Sequence, residues 1–576
     1  MSKKSIGIVN FKKFYRFTLR NGLFVQVNSL IIRERYLQLF SKFKCYNGMR
    51  MISSLNQNSQ KGFFLKRNRF LGKIKKFTYI LIILGLIKFS YDIYELRYPI
   101  PFVELDPNKK TIVILGSGWG SISLLKNIKS DDYNIIVVSP RNYFLFTPFL
   151  ASCTTGTTEF RSIIEPIRFI MFRRKAGLRF YEASCTSIDP NNKTIIIKDF
   201  SDVHGNVTET KLSYDYLVIG VGAENQTFGI PGVSQYANFL KEIPDARKIR
   251  TKIMECIKAA IFEGQTDEEK KRLLHMVIVG GGPTGVEFAA ELQDFFEVDL
   301  KKWFPEISNI FKVSLFEALP SILPMFSKTL VNYTEATFKE ENISIFTRST
   351  VKSVADKYIT VETTSSDNKK VIQEVPYGLL VWATGNSPRY VIKDLISRIP
   401  EQSNSSRGLL VNDYLVVKGT ENIWALGDCT ATKYAPTAQV ASQQGHYLAK
   451  LFDMLAESRR TRKEIQYLEN LLKANNIDFE KENMIKKDID IKIKKLKRLS
   501  IPLFQYSHRG TLAYIGNDKA IADLSFSKGN FSIFGMTAFL FWRSVYANML
   551  FSLRNKVSVC LDWIKVSVFG RDLSSF

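Results

Sequence analysis

Two glycine-rich turns of the same kind constrain the fold of this 576-residue chain more than any other feature. The first, GSGWGS at residues 116–121, follows a short apolar run at 111–115. The second, GGGPTG at 280–285, follows another at 275–279. Each turn precedes a segment with apolar residues at helical spacing, and strand, glycine turn and helix together form the dinucleotide-binding unit of doubly wound α/β folds. Two such units are therefore predicted.

The first turn is the weaker of the two signals. Gly116 permits a tight turn, Gly118 lets the backbone approach a pyrophosphate, and Ser121 is small enough for close packing of the helix on the strand. The next strand ends at Ser139, where such a fold usually carries Asp or Glu for a ribose hydroxyl. Taken alone, this turn leaves a nucleotide site and an ordinary turn both open.

The second turn fits the GxGxxG pattern fully, with Gly280, Gly282 and Gly285 in place. A later strand ends in Glu317, after a charged and aromatic insertion that makes this stretch longer than usual. A carboxylate there can accept hydrogen bonds from both ribose hydroxyls and would repel a 2′-phosphate. NADH is therefore favoured over NADPH, and the alternative is a pair of doubly wound domains without ligands.

Later small-residue turns predict how the two units are connected. One ends at Gly222 and one contains Ala383, Thr384 and Gly385, each well downstream of its own glycine turn. A further strand closes on Asp428, whose carboxylate can hold the ribityl chain of a flavin. The predicted fold is α/β, with a discontinuous FAD domain and an NAD domain inserted into it. The predicted bounds are 108–245 and 391–535 for the FAD domain and 246–390 for the NADH domain.

The beginning of the chain is strongly basic. Net charge is +26, and residues 1–100 hold 20 lysines and arginines against three acidic residues. Residues 1–76 are predicted to be a mitochondrial targeting region, with a disordered basic tail as the alternative. Residues 77–93 are a short apolar stretch that is either a membrane anchor, a surface helix or part of a cleaved presequence. Because the excess charge lies here, no nucleic-acid partner is expected.

Metal chemistry is not expected from the residue types. The chain has six cysteines without a CxxC pair and only four histidines. A charged segment at 457–500 is predicted to be an exposed helical insertion. It lacks the acidic spacing and the glycine of a calcium-binding loop, so no calcium is expected.

An ordered set of motifs resembles the type II NADH dehydrogenases, which are rotenone-insensitive and do not pump protons. The set covers the chain from residue 109 onward and includes GSGWGS, SPRNYFLFTPFL, GGGPTGVEFAAEL, WATGNSPR, ALGDC, AQVASQQG and HRGTLAYIGNDKAIAD. The resemblance implies FAD on the first unit, NADH on the second and ubiquinone as acceptor. It also implies a homodimer at the mitochondrial inner membrane, peripheral or with one N-terminal anchor, on a side that the sequence leaves undetermined.

The resemblance also implies roles for individual residues. Glu287 would lie near the junction of nicotinamide and flavin, although a carboxylate favoured by the helix dipole is the alternative. Gln439 and Gln443 share a helix face and would bind a quinone carbonyl, although an amide pair that caps backbone is the alternative. The implied cofactor-binding residues are Gly116, Gly118, Gly120, Ser121, Ser139, Arg141, Gly222, Asp428, Ala438, Gln439, Gly280, Gly282, Gly285, Glu287, Glu317, Ala383, Thr384 and Gly385.

The C-terminal residues 536–576 are predicted to form amphipathic membrane-binding helices. Trp542, Trp563 and phenylalanines would lie on one side and lysines and arginines on the other. The alternative is a helix packed on the core or on a second subunit. Two rival functions remain: a sulfide:quinone oxidoreductase, which would use redox cysteines from among Cys153, Cys185 and Cys429, and a flavoprotein of the apoptosis-inducing-factor type.

Overall fold

Both glycine turns lie at the ends of parallel strands in the computed structural model. The structure describes residues 104–574, apart from 173–176, 204, 308, 365–366, 368, 474–478, 500 and 527–528, and scattered positions between Ile83 and Tyr98. The predicted targeting region at 1–76 lies outside the described residues, as does most of the stretch at 77–93.

The chain divides into two units. One contains residues 1–98 with 544–549, and its described positions between Ile83 and Arg97 are helical. The other contains 99–543 with 550–576 and carries both glycine turns.

The described strands are β1 (Lys110–Leu115), β2 (Tyr133–Ser139), β3 (Tyr143–Leu145), β4 (Ile164–Pro166), β5 (Leu178–Glu182), β6 (Ser184–Asp189), β7 (Thr194–Lys198), β8 (Glu209–Ser213), β9 (Tyr216–Ile219), β10 (Ala223–Asn225), β11 (Asn238–Phe239), β12 (His275–Val279), β13 (Lys312–Phe316), β14 (Ile343–Phe346), β15 (Ser349–Val354), β16 (Tyr358–Thr364), β17 (Lys370–Pro376), β18 (Leu379–Trp382), β19 (Asn386–Pro388), β20 (Ile423–Ala425), β21 (Thr511–Tyr514), β22 (Ala520–Phe526) and β23 (Gly529–Gly535). The described α-helices are α1 (Trp119–Asn127), α2 (Leu150–Thr155), α3 (Ile167–Phe172), α4 (Val233–Tyr236), α5 (Ile243–Ala260), α6 (Asp267–Leu273), α7 (Pro283–Phe295), α8 (Lys301–Trp303), α9 (Lys328–Glu340), α10 (Tyr390–Arg398), α11 (Ala438–Lys473), α12 (Phe479–Arg498), α13 (Met536–Met549) and α14 (Leu553–Phe569).

The first parallel sheet has the strand order β20-β9-β1-β2-β5. Its central strand β1 is apolar, and Ile112, Val113, Ile114 and Leu115 are fully buried, as expected for a strand covered on both faces. Strand β20 joins this sheet only after more than 200 further residues of chain. The first domain is therefore discontinuous, which confirms the prediction.

The second parallel sheet has the order β11-β18-β12-β13-β14 and lies in sequence between β9 and β20. The chain leaves the first domain through β10 and returns through β19, and these two strands pair with each other in antiparallel register. The predicted insertion of one dinucleotide-binding domain into the other is confirmed.

Helix α11 brings a late part of the sequence against the first glycine turn. A methyl group added at Gly445 would lie 2.1 Å from the carbonyl oxygen of Gly120, so α11 can approach α1 this closely only with glycine at 445. The Ser123 hydroxyl also donates to the Ser442 carbonyl at 2.6 Å. Residues 438–445 are thereby fixed beside the turn at 116–121.

The charged segment at 457–500 lies in the second half of α11 and in α12. The two helices are joined by ion pairs from Lys492 to Glu464 at 2.6 Å and from Lys495 to Glu457 at 2.8 Å. Most of their side chains are exposed. Within the described ranges, no helix has both the length and the apolar character needed to cross a membrane.

The C-terminal helices differ from the prediction in one respect. Trp542 is buried, with its ring 5.5 Å from that of Phe149 and 5.6 Å from that of Tyr514. The expectation that this indole lies on a lipid-facing side was therefore wrong. The spacing of apolar residues along a helix predicts an apolar face, but it does not show whether protein or lipid covers that face. On α14 the exposed apolar residues are Val557, Leu561, Ile564, Val568 and Phe569.

Candidate functional site

The first glycine turn forms an open cradle at the start of α1. Gly116 has φ +98°, and a methyl group added there would lie 2.3 Å from the Gly220 carbonyl oxygen, so the turn requires glycine. A methyl group added at Gly118 would meet no heavy atom within 4 Å. The space beside Gly118 and the helix N-terminus is where an anion can approach the backbone amides. This shape fits the pyrophosphate of FAD.

Two buried donors beside this turn also fit a bound group. The hydroxyl of Ser121 and the side-chain nitrogen of Gln444 are buried and have no hydrogen-bond partner among the described residues. The side-chain oxygen of Gln444 accepts from the Gly427 amide at 2.7 Å, which ties α11 to the turn that carries Asp428. Sequence reasoning missed Gln444, although it lies in the motif AQVASQQG with Ala438, the first residue of α11.

The second glycine turn repeats the cradle on the inserted sheet. Gly280 has φ +118°, and an added methyl group would lie 2.7 Å from the Ala383 carbonyl oxygen and 3.0 Å from Thr384. A methyl group at Gly285 would lie 2.0 Å from the Gly280 carbonyl oxygen, whereas one at Gly282 would meet no heavy atom within 4 Å. The two tight positions and the one open position repeat the pattern of the first turn, where Gly116 is tight and Gly118 is open.

Polar groups at the end of β2 surround the first cradle. The Ser139 hydroxyl donates to the Ser117 hydroxyl at 3.0 Å and accepts from the Arg141 amide at 3.2 Å. The Arg141 guanidinium reaches the same Ser117 hydroxyl at 3.3 Å and pairs with Glu242 at 2.5 Å. Where many dinucleotide folds have an acid, this one therefore has hydroxyls and a cation.

At the second cradle, a carboxylate occupies the position after the second strand that Ser139 occupies at the first. Glu317 follows β13, and its two oxygens accept from the Gly281 amide at 2.5 Å and from the Leu319 amide at 2.8 Å. These bonds hold the side chain at the glycine turn. A carboxylate offers about four lone-pair directions, so acceptor capacity remains for ribose hydroxyls. The arrangement fits NADH.

The two cradles are connected through their small-residue turns. Gly222 and Gly385 both have positive φ, +65° and +79°. The Gln226 amide donates to the Gly385 carbonyl at 3.4 Å, and the Arg389 guanidinium donates to the Val221 carbonyl at 2.9 Å. The cofactor-binding residues predicted at the two turns thus lie on directly bonded segments.

Asp428 lies at the end of the first sheet and receives no hydrogen bond from any described residue. Burial raises the pKa of its carboxyl, and the Lys241 ammonium opposes that rise. Lys241 itself donates to Asn386 at 2.7 Å, which links this carboxylate electrostatically to the segment returning from the second domain. An acceptor without a protein donor fits the predicted contact with a polar cofactor chain.

Both predicted quinone residues bind backbone in this structure. The Gln439 amide oxygen accepts from the Tyr506 hydroxyl at 2.6 Å and from the Arg509 amide at 2.9 Å, and its nitrogen donates to the Gly510 carbonyl at 3.2 Å. Gln443 exchanges two hydrogen bonds with the backbone of Ser507, at 2.8 and 3.0 Å. The pair therefore holds the segment 506–510 against α11, which is the alternative considered for it, and a quinone contact stays a prediction.

Glu287 lies near the start of α7 and is partly buried. Burial raises its pKa to about 8, while the Tyr514 amide, which donates to its side chain at 3.2 Å, opposes the rise. A helix N-terminus alone would lower the pKa of a carboxyl. The shift runs in the opposite direction, so burial outweighs the effect of the helix dipole on the pKa of Glu287.

Two further acidic residues follow Glu287 on the same face of α7. Glu291 is buried and accepts from the hydroxyls of Ser152 and Thr157, both at 2.6 Å. Burial raises the pKa of Asp294 to about 7, and hydrogen bonds from Tyr514 and Asn517 oppose the rise. The spacing of four and three residues was a usable signal for a shared helix face, and sequence reasoning missed it.

The cysteines do not resemble a redox pair. Burial raises the thiol pKa of Cys185 and of Cys429 to about 12 and that of Cys153 well above its usual value. The thiolate is the reactive form, so these thiols are poorly suited to redox exchange. In the described ranges, no group of three histidine, cysteine or acidic side chains is placed to hold a metal ion.

Comparison with known families agrees with this arrangement. Residues 110–445 match the pyridine nucleotide-disulphide oxidoreductase family, and residues 508–572 match the NDH2 C-terminal domain. The external alternative NADH-ubiquinone oxidoreductase of Yarrowia lipolytica mitochondria is 54% identical over 88% of both chains. The external NADH-ubiquinone oxidoreductase 2 of Saccharomyces cerevisiae mitochondria is 46% identical over 87% of this chain and 89% of that one.

Solved structures extend the comparison to three dimensions. NDH2 of Plasmodium falciparum in complex with NADH has a TM-score of 0.69 at 30% identity, covering 81% of this chain and all of that chain. The sulfide:quinone oxidoreductase of Aquifex aeolicus has a TM-score of 0.54 at 18% identity and shares the fold alone. With both domains matched and 54% of the aligned residues identical to one relative, the chain belongs to the type II NADH:ubiquinone oxidoreductase family of flavoproteins.

Proposed function

We propose that this chain oxidises NADH and reduces ubiquinone through bound FAD at the mitochondrial inner membrane, without pumping protons. The observation that carries the proposal is the pair of glycine cradles on two parallel sheets whose small-residue turns are bonded to each other. The quinone comes from the names of the relatives, which are NADH-ubiquinone oxidoreductases.

The first cradle would hold FAD. Gly118 keeps the backbone accessible, Gly116 and Gly120 allow close packing against Gly220 and Leu426, and Asp428 and Arg141 supply an acceptor and a cation beside the turn. When bound, FAD accepts a hydride from NADH and transfers two electrons to quinone. The protein's contribution is to bind the cofactor, to orient it and to control access of protons.

The second cradle would hold NADH. Gly282 leaves room for the pyrophosphate, Gly285 allows the helix to lie close to the turn, and Glu317 accepts from the adenosine ribose. A negative charge at Glu317 disfavours a 2′-phosphate. NADH is therefore the preferred reductant over NADPH.

Glu287 would supply a proton to the quinone. Reduction of a quinone to a quinol takes up two protons, and a donor works best with a pKa near the operating pH. The pKa of Glu287 is raised to about 8, so its carboxyl holds a proton at neutral pH.

Gln439 and Gln443 would orient the quinone from the start of α11. Each side-chain amide nitrogen carries two hydrogens, and one of them is used on the segment 506–510. The second hydrogen of each remains for a quinone carbonyl. Together with Glu287, these residues form the proposed catalytic set.

The membrane contact would be made by the exposed apolar face of α14, which includes Leu561, Ile564 and Val568, with Lys565 at its polar edge. Such a helix lies in the interface without spanning the bilayer. The two relatives described above are named external enzymes, so we extend the proposal to oxidation of NADH on the outer side of the inner membrane, by a homodimer. Nucleic acid and calcium are not part of the proposal.

A steady-state assay tests the proposed function. Purified protein is supplied with NADH and a short-chain ubiquinone, and NADPH and sulfide replace NADH in parallel reactions. We expect turnover with NADH that is at least about 100-fold more efficient than with NADPH, which corresponds to about 2.7 kcal/mol of discrimination. Turnover with sulfide in place of NADH would overturn the proposal in favour of a sulfide:quinone oxidoreductase.

A further inference from the structure

Tyr514 binds two acidic residues of α7 with two different groups. Its backbone amide donates to Glu287 at 3.2 Å, and its side-chain hydroxyl donates to Asp294. The two carboxyls lie seven residues apart and therefore on the same face of the helix. Tyr514 of β21 thus contacts two carboxyl groups that lie two turns apart on α7.

Two kinds of contact hold Tyr514 beside α7. Its backbone belongs to β21, where Tyr514 pairs with Ala520 of β22. Its side chain is 7% exposed, lies with its ring 5.5 Å from Phe539 and 5.6 Å from Trp542, and donates its hydroxyl to Asp294. Of these side-chain contacts, the bond to Asp294 is the directional one, and the Asn517 amide also donates to Asp294 at 2.9 Å.

Other groups around these carboxyls are charged or donate hydrogen bonds to them. Arg571 pairs with Asp299 at 2.8 Å and approaches Glu291 at 3.8 Å. Arg543 lies over the rings of Phe539 and Trp563, and burial lowers the pKa of its guanidinium while Asp518, Tyr514 and Glu291 oppose that change. Burial is the main cause of the raised pKa of Glu287 and Glu291 adds to it, whereas the Tyr514 amide and the Trp542 side chain oppose it as hydrogen-bond donors. Asp294 is not among the groups that act on Glu287 directly.

We propose that Asp294 is a positioning residue for Glu287, acting through Tyr514: by accepting the tyrosine hydroxyl, it keeps the Tyr514 amide on the Glu287 carboxylate. The importance of this contact for turnover rests on the proposed role of Glu287 as proton donor. The contact itself does not depend on that role, since it is made within the protein.

The direction of the effect follows from the hydrogen bond. An amide that donates to a carboxylate favours the ionised form. Loosening Tyr514 removes that contribution, so Glu287 should keep its proton to a higher pH than about 8. Asparagine at 294 retains an oxygen that accepts the tyrosine hydroxyl, whereas alanine removes it.

The test measures the protonation of Glu287 directly in the flavin-loaded protein. Infrared difference spectra across pH follow the band of the protonated carboxyl, which Glu287→Gln assigns by removing it. We expect Tyr514→Phe and Asp294→Ala to raise the pKa of Glu287 by about one unit, the loss of one hydrogen bond to a charged group. Asp294→Asn should shift it by less than about 0.3 units because the hydroxyl keeps its acceptor.

Two outcomes would overturn the proposal. An unchanged pKa in Tyr514→Phe would mean that the hydroxyl does not hold the amide. An equal shift in Asp294→Asn and Asp294→Ala would mean that the charge of Asp294 acts on Glu287 without the tyrosine. Flavin content and the thermal midpoint of each variant identify any misfolded protein, and Asp294→Asn serves as the folded control.

A kinetic measurement separates this proposal from the proposed function. The pH profile of quinone reduction should move with the infrared pKa in Tyr514→Phe, mainly in kcat, and KM for NADH should stay within about twofold because the second cradle is untouched. A shifted infrared pKa with an unmoved pH profile supports the positioning role and contradicts the donor role of Glu287. An unmoved infrared pKa contradicts the positioning role alone.

Discussion

The two glycine cradles have the same backbone and different side chains. In both, the first glycine has positive φ and faces a carbonyl of a neighbouring strand end, and the second leaves open space. They differ at the third position, which is Ser121 in one and Gly285 in the other, and at the following strand end, which is Ser139 in one and Glu317 in the other. The shared backbone geometry suits the pyrophosphate of either dinucleotide. The different side chains at the third position and at the strand end select the rest of the dinucleotide.

The difference at the strand end changes the local charge. Around Ser139 the groups are hydroxyls and the Arg141 guanidinium, which is itself paired with Glu242. At the second cradle, two backbone amides hold the carboxylate of Glu317. A cradle for a resident flavin and one for an exchangeable NADH can thus be built from one backbone plan.

The largest effects are expected from alanine substitutions at the open glycines, Gly118 and Gly282, because each should impair only the cofactor of its own cradle. An added methyl group at Gly118 or at Gly282 meets no heavy atom within 4 Å, so both variants should fold. We expect Gly118→Ala to be purified with little flavin and Gly282→Ala to retain flavin while KM for NADH rises about 10- to 100-fold, or about 1.4–2.7 kcal/mol. Visible spectra and steady-state kinetics check both. Retention of flavin by Gly118→Ala would contradict the assignment of the first cradle.

Neutralising Glu317 tests whether the carboxylate that distinguishes the second cradle from the first selects NADH over NADPH. Glu317→Gln keeps the shape and an acceptor but removes the charge that opposes a 2′-phosphate. We expect the preference for NADH over NADPH to fall by about 10- to 150-fold, since one charged hydrogen bond is worth about 1.5–3 kcal/mol. The ratio of the two kcat/KM values measures it, with Ser139→Ala as the control in the other cradle. An unchanged ratio would show that Glu317 does not face the ribose.

Glu287→Gln should remove a pH dependence that belongs to the second cradle. The pKa of Glu287 is about 8 in the folded protein, so quinone reduction by the natural protein should decline as pH rises through 8. The variant should be slower at neutral pH, by about 10²-fold or more for loss of a general acid, and should lack this decline. A decline of the same shape in the variant would assign the titration to another group.

The same shift has a consequence for stability. A folded-state pKa of about 8 lies above the usual value of 4.5, so the folded state holds the extra proton between these pH values. The free energy of unfolding should therefore fall as pH rises through that window. Glu287→Gln lacks this loss, and its stability relative to the natural protein should be greater at pH 9 than at pH 5 by up to about 4 kcal/mol. Denaturant titrations at the two pH values check the difference, and parallel curves would contradict it.

Substitution of the third position in the first cradle should have the smallest effect. The Ser121 hydroxyl is buried without a partner among the described residues. Ser121→Ala keeps a small side chain and removes one donor, so flavin affinity should fall by about tenfold or less, or about 1 kcal/mol. Flavin release during dialysis measures it. Complete loss of flavin would mean that this hydroxyl is a main anchor of the cofactor.

Most of the backbone plan was predictable because its signals are local. Strand β12 spans the predicted residues, and β1 begins one residue before the predicted start, since buried apolar runs and glycine turns are short-range features. Contacts across the chain carried no such signal. The bond between Tyr514 and Glu287 joins residues 227 positions apart, and Gln439 meets Gly510 across 71 positions. Trp542 was assigned to a lipid-facing side for the same reason.

The most direct test of the account follows electrons through both cradles in one sample. The visible spectrum of the purified protein is recorded without oxygen while NADH and then a short-chain ubiquinone are added. The account predicts that a flavin band bleaches with one equivalent of NADH and returns with quinone. A flavin band that NADH leaves unchanged, in protein that a chemical reductant can bleach, would contradict it.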